Sequence, residues 1–411
     1  MSRPAASRAE LPPGPACADT LASLLGRLAA EKPDLPLLRD PDGRETWTGR
    51  APASYSAREA HESVRGLSAR MRRLGLPAGS PVGICLAPGS ELCLSLLAAE
   101  AAGLVPVLLP AALDEDEIGQ LVDRVPLAAV VTQGVLGSGR PAATFATIAA
   151  RRFHVRFLLA FGPDLPDGVV DLGSPAWPAR DVAAGPSPNP GVVTFSAGEG
   201  GPVPMFRPSL SWLAAAAVTL AATRWGPGDT VIACLAPDDL KGLATGWVAC
   251  LAAGATCEIH APFEPARLAP ALARPGRNHL ALPGWTEPLI AAAGLAAGAR
   301  SVLFVHSGLA DVPETGPAAL GAARLVDAMA LGETALFAAE RGSAAWRALR
   351  SGAAQAPTGR PDLLAVRCGA GGALEVSGPA AVSWPFLAGA ARAGSPSEWR
   401  PCPAPAGSER L

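Results

Sequence analysis

The chain has 411 residues, a formal net charge of −2 and 49% hydrophobic residues, with 45 glycines and 43 prolines. That length allows two or three packed units, and the near-neutral balance argues against a nucleic-acid or anionic-membrane surface. Nearly all basic residues are arginine; the only lysines are Lys32 and Lys241, so a catalytic lysine has few places to be.

The eight cysteines (Cys17, Cys85, Cys93, Cys234, Cys250, Cys257, Cys368, Cys402) form no CxxC pair and no tight Cys/His group. Neither a zinc site nor a secreted disulfide framework is indicated. No apolar core of signal-peptide length opens the chain. Runs such as Pro208–Thr223 and Gly242–Cys257 fall short of the roughly 20 apolar residues that span a bilayer. A soluble, cytoplasmic protein with reduced thiols is expected.

Residues 1–18, rich in Pro, Ala and Gly, are expected to be disordered. Ser56-Ala-Arg-Glu forms a capping box that should start a helix ending at Leu74, with Gly75 as its stop. His61 on that helix reads as a surface residue. An alternation follows: strand Val82–Leu86, helix Ser90–Ala102, strand Val105–Leu109, helix Asp114–Arg124 and strand Ala128–Thr132. The acidic cluster 114–117 complements a helix dipole. Short apolar strands without polar alternation imply a parallel sheet covered on both faces. From Pro163 to Pro190 the chain reads as a connection.

Pro188–Trp212 then reads as strand, glycine-rich loop and helix, the order that builds phosphate cradles from backbone N–H groups. The loop Ser196–Pro202 carries Glu199 and no lysine. Two readings stand: a phosphate site, or a turn kept for packing, which Glu199 favours. The alternation resumes with helix Ser209–Thr223, strand Thr230–Leu235, helix Leu240–Ala253, strand Thr256–Ile259 and helix Pro265–Ala273. Strand His279–Leu282, helix Thr286–Ala297 and strand Ser301–Val305 complete it. Asp238/Asp239 reads as an N-cap pair ahead of paired carboxylates for acid–base work, which would need burial and a raised pKa, and Lys241 as a solvated lysine ahead of a displaced phosphate ligand. His154, His260, His279 and His306 have no Ser/Asp partners at a recognisable spacing, and no GxSxG is present. Beyond Gly359, strands Leu363–Arg367 and Ala373–Val376 flank Gly369–Gly372, which is not a dinucleotide fingerprint. The expected division is an α/β unit at 19–185, a second at 186–355, a small β element at 356–392 and a tail at 393–411.

These residues resemble the adenylate-forming ligases, the acyl- and aryl-CoA synthetases and related AMP-binding enzymes. Residues 88–110 resemble an early helix and strand of their large domain. Their loop T-S-G-T-T-G-x-P-K corresponds to Phe195–Val203, with Ser196, Gly200 and Pro202 kept. Leu331–Ala335 resembles Y-G-x-T-E, with Gly332 and Thr334 kept, and Pro237–Leu243 resembles P-x-x-H-x-x-G-L. Gly359–Pro361 and Gly372–Pro379 resemble a G-x-P turn and a G-E-L-x-V-x-G-P strand. The likeness runs in order from about residue 50 to 390. It implies an α/β fold of two layered βα subdomains with mostly parallel sheets plus a small β element, without the family's small C-terminal domain.

The resemblance implies ATP and Mg as cofactors, a carboxylic acid substrate, and CoA or a carrier protein as thiol acceptor. Ser196, Gly198, Gly200 and Gly201 would face phosphates, and Gly332, Glu333 and Thr334 would border adenine and metal. Val203 stands where the loop lysine belongs and Glu199 where a threonine belongs. Leu331 replaces the tyrosine, Ala335 replaces the metal-linked glutamate, and Leu240 falls at or near the histidine. Two functions are therefore expected. One is an acid-activating ligase relative of reduced activity or dependent on a separate partner that supplies the C-terminal domain. The other is a non-catalytic scaffold that docks to a carrier protein or an active ligase.

Overall fold

A computed structural model of the chain describes residues 20–173, 189–198, 200–314, 320–321, 324–352, 358–368, 373–386 and 395–402. The expected disordered start, Glu199 and the cluster 369–372 lie outside the described residues.

Two eight-stranded sheets and one of three strands make up the architecture. The first sheet runs Ala335–Glu340, Arg324–Leu331, Ser301–His306, Arg277–Pro283, Asp229–Ala233, Thr256–Ile259, Pro36–Arg39 and Ser54–Ser56. Its pairs are parallel except at the two edges. The second runs Trp384–Pro385, Val203–Pro208, Gly191–Ser196, Val105–Leu108, Pro81–Ile84, Ala129–Gln133, Phe157–Phe161 and Val170–Asp171. Its antiparallel pairs lie at the Val203–Pro208 end. The sheets do not divide the chain at one point: residues 36–56 add strands to the sheet built mainly after residue 229, while 191–208 complete the earlier one.

One core joins the two sheets through helices buried nearly all round. Leu96 and Leu97 of helix Ser90–Ala101, Trp212 and Ala215 of helix Ser209–Thr223, and Trp247 and Leu251 belong to it. A second cluster seats Ile118, Leu121, Phe145 and Ile148 on the outer face of one sheet. A third seats Leu268, Leu272 and Ile290 on the outer face of the other. The result is five layers, helix–sheet–helix–sheet–helix. Interior strands such as Ala129–Gln133 and Ser301–His306 are buried along their whole length, as the unalternating apolar runs imply.

Local signals set several boundaries. Ser56 caps helix Ala57–Arg72 and exchanges hydrogen bonds with Glu59, as Asp114 does with Glu117 at helix Glu115–Arg124. Each cap is worth about 1 kcal/mol. The acidic residues 115–117 fall in the first turn of that second helix, where they complement its dipole.

The glycine loop departs from expectation. It leads into strand Val203–Pro208, which pairs antiparallel with Gly191–Ser196 from Gly191↔Pro208 to Ser196↔Val203. The helix starts only at Ser209, so the loop is a hairpin tip and not the entry to a helix. Pro204 and Pro208, which cannot donate to a ladder, obscure the strand in sequence. The hairpin of Arg324–Leu331 with Ala335–Glu340 was likewise not expected, because its alanine-rich residues carry helical propensity that sheet burial overrides. Arg400–Pro401, expected within a tail, pairs with Leu374–Ser377 as the third strand of the small sheet. Among the described residues, no helix is long and apolar enough to cross a membrane.

Candidate functional site

The parallel strands of the first sheet deliver their carboxyl ends to one place, where ligands of open α/β sheets bind. Ser301–His306 runs into Ser307–Ala310, Arg324–Leu331 into Gly332 and Glu333, and Asp229–Ala233 into Asp238–Lys241. Facing them are Phe195, Ser196 and Ala197 from the second sheet, and Cys368, Leu374 and Cys402 from the small one. Together they enclose a cleft of about 870 Å³, within the usual range for small-molecule sites.

Glu333 is its electrostatic centre. The side chain is 7% exposed and accepts the Thr194 hydroxyl at 2.6 Å and the Leu240 N–H at 3.1 Å. Burial, with the charge of Asp239 added, pushes its carboxyl up to about 7; the bonds from Thr194 and Leu240 and the charge of Arg207 pull only partly the other way. Gly332, at φ +56°, turns the chain between the two strands in a conformation a side chain would strain.

Arg207 holds the turn from beneath. Fully buried, it donates to Ser211 Oγ (2.6 Å) and to the carbonyls of Ala380 (2.8 Å), Glu333 (2.9 Å) and Thr334 (2.8 Å). Its guanidinium carbon lies 5.3 Å from the Trp212 ring. Burial depresses its pKa to about 10 although the Glu333 charge opposes the shift. One side chain thereby ties the strand after the loop to the turn and to the small β element.

The third wall starts a helix. Asp239 is the N-cap, its Oδ1 accepting the Gly242 N–H at 2.8 Å. A Cβ on Gly242 would lie 1.7 Å from the Ala236 carbonyl oxygen, so only glycine lets the helix begin against that segment. Asp238, largely buried, has its carboxyl raised to about 6 by desolvation and by the charge of Asp239. Lys241 Nζ stands 3.4 Å from Asp239 Oδ2. The helix then passes through a π-turn at Leu243–Trp247, a feature frequent beside functional sites.

Of the residues expected at a site, Ser196, Gly332 and Glu333 line the cleft. Thr334 contributes its carbonyl to Arg207 rather than a side chain to the cleft. Gly198 and Gly201 close the hairpin tip, the Gly201 N–H reaching the Gly198 carbonyl at 3.0 Å. The carbonyl of Gly200 accepts Arg124 Nη2 from outside. Val203, at the lysine position, sits directly across the ladder from Ser196. Lys241 and Asp239, expected as solvated and capping, border the cleft.

Contributors unmarked in sequence include Arg207, Ser307–Ala310, Met329, Arg350, Cys368 and Cys402. A lone arginine in an apolar strand and a Ser-Gly after a buried strand were the available signals. Cys368 and Cys402 both lie opposite Leu374, one on each side. Two strand spacings, about 9–10 Å, separate them, beyond disulfide reach.

The histidines find partners only through the fold: His306 with Asp327, His260 with Glu258, and His279 with Ser301 and Asp229. The last set has triad chemistry, but all three residues are buried at the opposite ends of the strands. There the Ser301 hydroxyl already accepts the Trp225 indole. It is packing.

A magnesium-bound triphosphate does not fit this donor set. Among the described residues the lining carries two cations, Lys241 and Arg350, and Arg350 is held by the Val312 and Pro313 carbonyls. Asp239 and Glu333 place carboxylates on the same wall.

The chain has the α/β fold of the large domain of adenylate-forming ligases. Residues 27–195 match the family described as AMP-binding enzyme. MbtA of Mycobacterium smegmatis matches with a TM-score of 0.67 at 17% identity, over 88% of this chain and 67% of that one. The amide bond synthetase McbA of Marinactinospora thermotolerans matches at 0.66 and 19%, over 88% and 71%. The N-terminal domain of FACL13 from Mycobacterium tuberculosis matches at 0.65 and 15%, over 88% and 89%. This chain spans 59% of the anthranilate CoA ligase AuaEII, solved with anthranoyl-AMP. No curated protein matches the sequence.

Proposed function

We propose that the chain is a relative of the AMP-forming acid–thiol ligases whose cleft holds the adenylate of a carboxylic acid, for transfer to CoA or a carrier thiol. The observation that carries this reading is the convergence of Ser196, Gly332, Glu333 and Ser307–Ala310 on one cleft of nucleotide size. The adenosine moiety would lie along Ser307–Ala310 and Met329–Gly332, with its phosphate toward Ser196 and Lys241.

A second reading, a binding protein without ATP chemistry, is favoured by the carboxylates of Asp239 and Glu333 beside a loop without its lysine. Two measurements separate them. Under the ligase reading, a non-hydrolysable acyl-adenosine analogue raises the melting temperature by several degrees, and the chain transfers the acyl group of a supplied acyl-adenylate to CoA or a carrier thiol with release of AMP, alone or with a partner. Binding without transfer under every condition selects the second reading. Absence of both rejects the nucleotide site.

A further inference from the structure

We infer that Lys241 is the residue that recognises the phosphate in this cleft, and that Asp239 and Glu333 beside it restrict the site to a nucleotide with a single phosphate, AMP or an adenylate ester. The inference rests on the nucleotide-site reading above and adds the recognising residue and the charge class of the ligand.

The argument is one of commitment. Arg350 is bound to two carbonyls, and Arg207 is buried beneath the turn with four acceptors. Lys241 is about one-third exposed, and its partner Asp239 stands at 3.4 Å, longer than a tight ammonium–carboxylate contact. An ammonium has three donors, so donors remain for phosphate oxygens. Asp239 cannot follow the lysine, because its other oxygen is fixed to the Gly242 N–H. The loop offers no competing cation, since Val203 fills the lysine position opposite Ser196.

Exclusion of longer phosphate chains follows from what Glu333 occupies. Its carboxylate already takes the Thr194 hydroxyl and the Leu240 N–H, donors that an incoming oxyanion would otherwise use. Further phosphates would bring negative charge toward Glu333 and Asp239, with Lys241, paired only with Asp239, as the least committed cation of the described lining. A single phosphate brings the least charge to that wall, one negative charge as an adenylate ester and nearly two as AMP.

Calorimetric titration of the full chain with adenosine, AMP and Mg·ATP, in wild type, K241M, K241R and E333Q, tests this. Wild type should bind AMP about tenfold to a hundredfold more tightly than adenosine, the worth of a charge-assisted phosphate contact, and Mg·ATP more weakly than AMP. K241M should lower AMP to the adenosine level while leaving adenosine binding and the melting temperature in place. K241R should recover part of the preference, and E333Q should gain Mg·ATP binding. Unchanged AMP preference in K241M overturns the Lys241 assignment. Wild-type binding of Mg·ATP as tight as AMP, or no gain in E333Q, overturns the charge restriction. In those cases adenosine still binds and the parent reading stands. If neither adenosine nor AMP binds, the parent reading is overturned, and this inference with it.

Discussion

Two clusters of charge in the first sheet differ in how they are closed. Around Arg341, Asp327 and Glu287 each receive two hydrogen bonds from one guanidinium, and His306 adds a third contact to Asp327. Burial alone would raise the Asp327 carboxyl, yet the bonds from Arg341 and His306 hold it below the ordinary aspartate value. At the cleft, Asp239 and Glu333 line the wall that carries Lys241, with Asp238 next to Asp239, and there burial wins: Asp238 rises to about 6 and Glu333 to about 7. The same residue types are scaffold where a cation satisfies them and a site where it does not, which is why perturbed carboxyls mark function only beside an opening.

The largest effect should come from breaking the closed cluster. R341M strands two carboxylates and should cost about 3–5 kcal/mol in denaturant unfolding. Nucleotide binding by the molecules that stay folded should persist. R207M should cost a comparable roughly 3–5 kcal/mol and, unlike R341M, should also weaken AMP binding by releasing the Gly332–Thr334 turn. Equal binding losses in the two variants would erase the distinction between scaffold and site.

The clusters should also answer pH in opposite senses. The folded pKa of Glu333, about 7, lies above its ordinary 4.5. Its share of stability is therefore fully present below 4.5 and is lost as pH rises toward 7. Asp238, raised from 3.8 to about 6, adds to the same slope. Asp327, held low, contributes stability above 3.8 that is lost as pH falls below that value. Urea unfolding from pH 4.5 to 8 should show the decline in wild type and a flatter profile in E333Q; parallel profiles would refute the assignment. At the smallest end, R58A removes an exposed ion pair with Asp34 and should shift stability by under about 0.5 kcal/mol.

Local chemistry alone determined a good part of this protein. The capping boxes at Ser56 and Asp114, the helix Ser209–Thr223 and the apolar strands follow from contacts a few residues apart, which any reading along the chain can see. The order of the family motifs singled out Ser196, Gly332 and Glu333, which the fold brings to one cleft. What only the tertiary structure decided spans long separations. Thr194 meets Glu333 across 139 positions and Arg207 meets Ala380 across 173. The partner of Ser196 across the ladder, the burial that lifts Asp238, and the entry of Lys241 into the cleft are of the same kind. A charge acquires its meaning from its desolvation and its neighbours in space, and neither is written in its position along the chain.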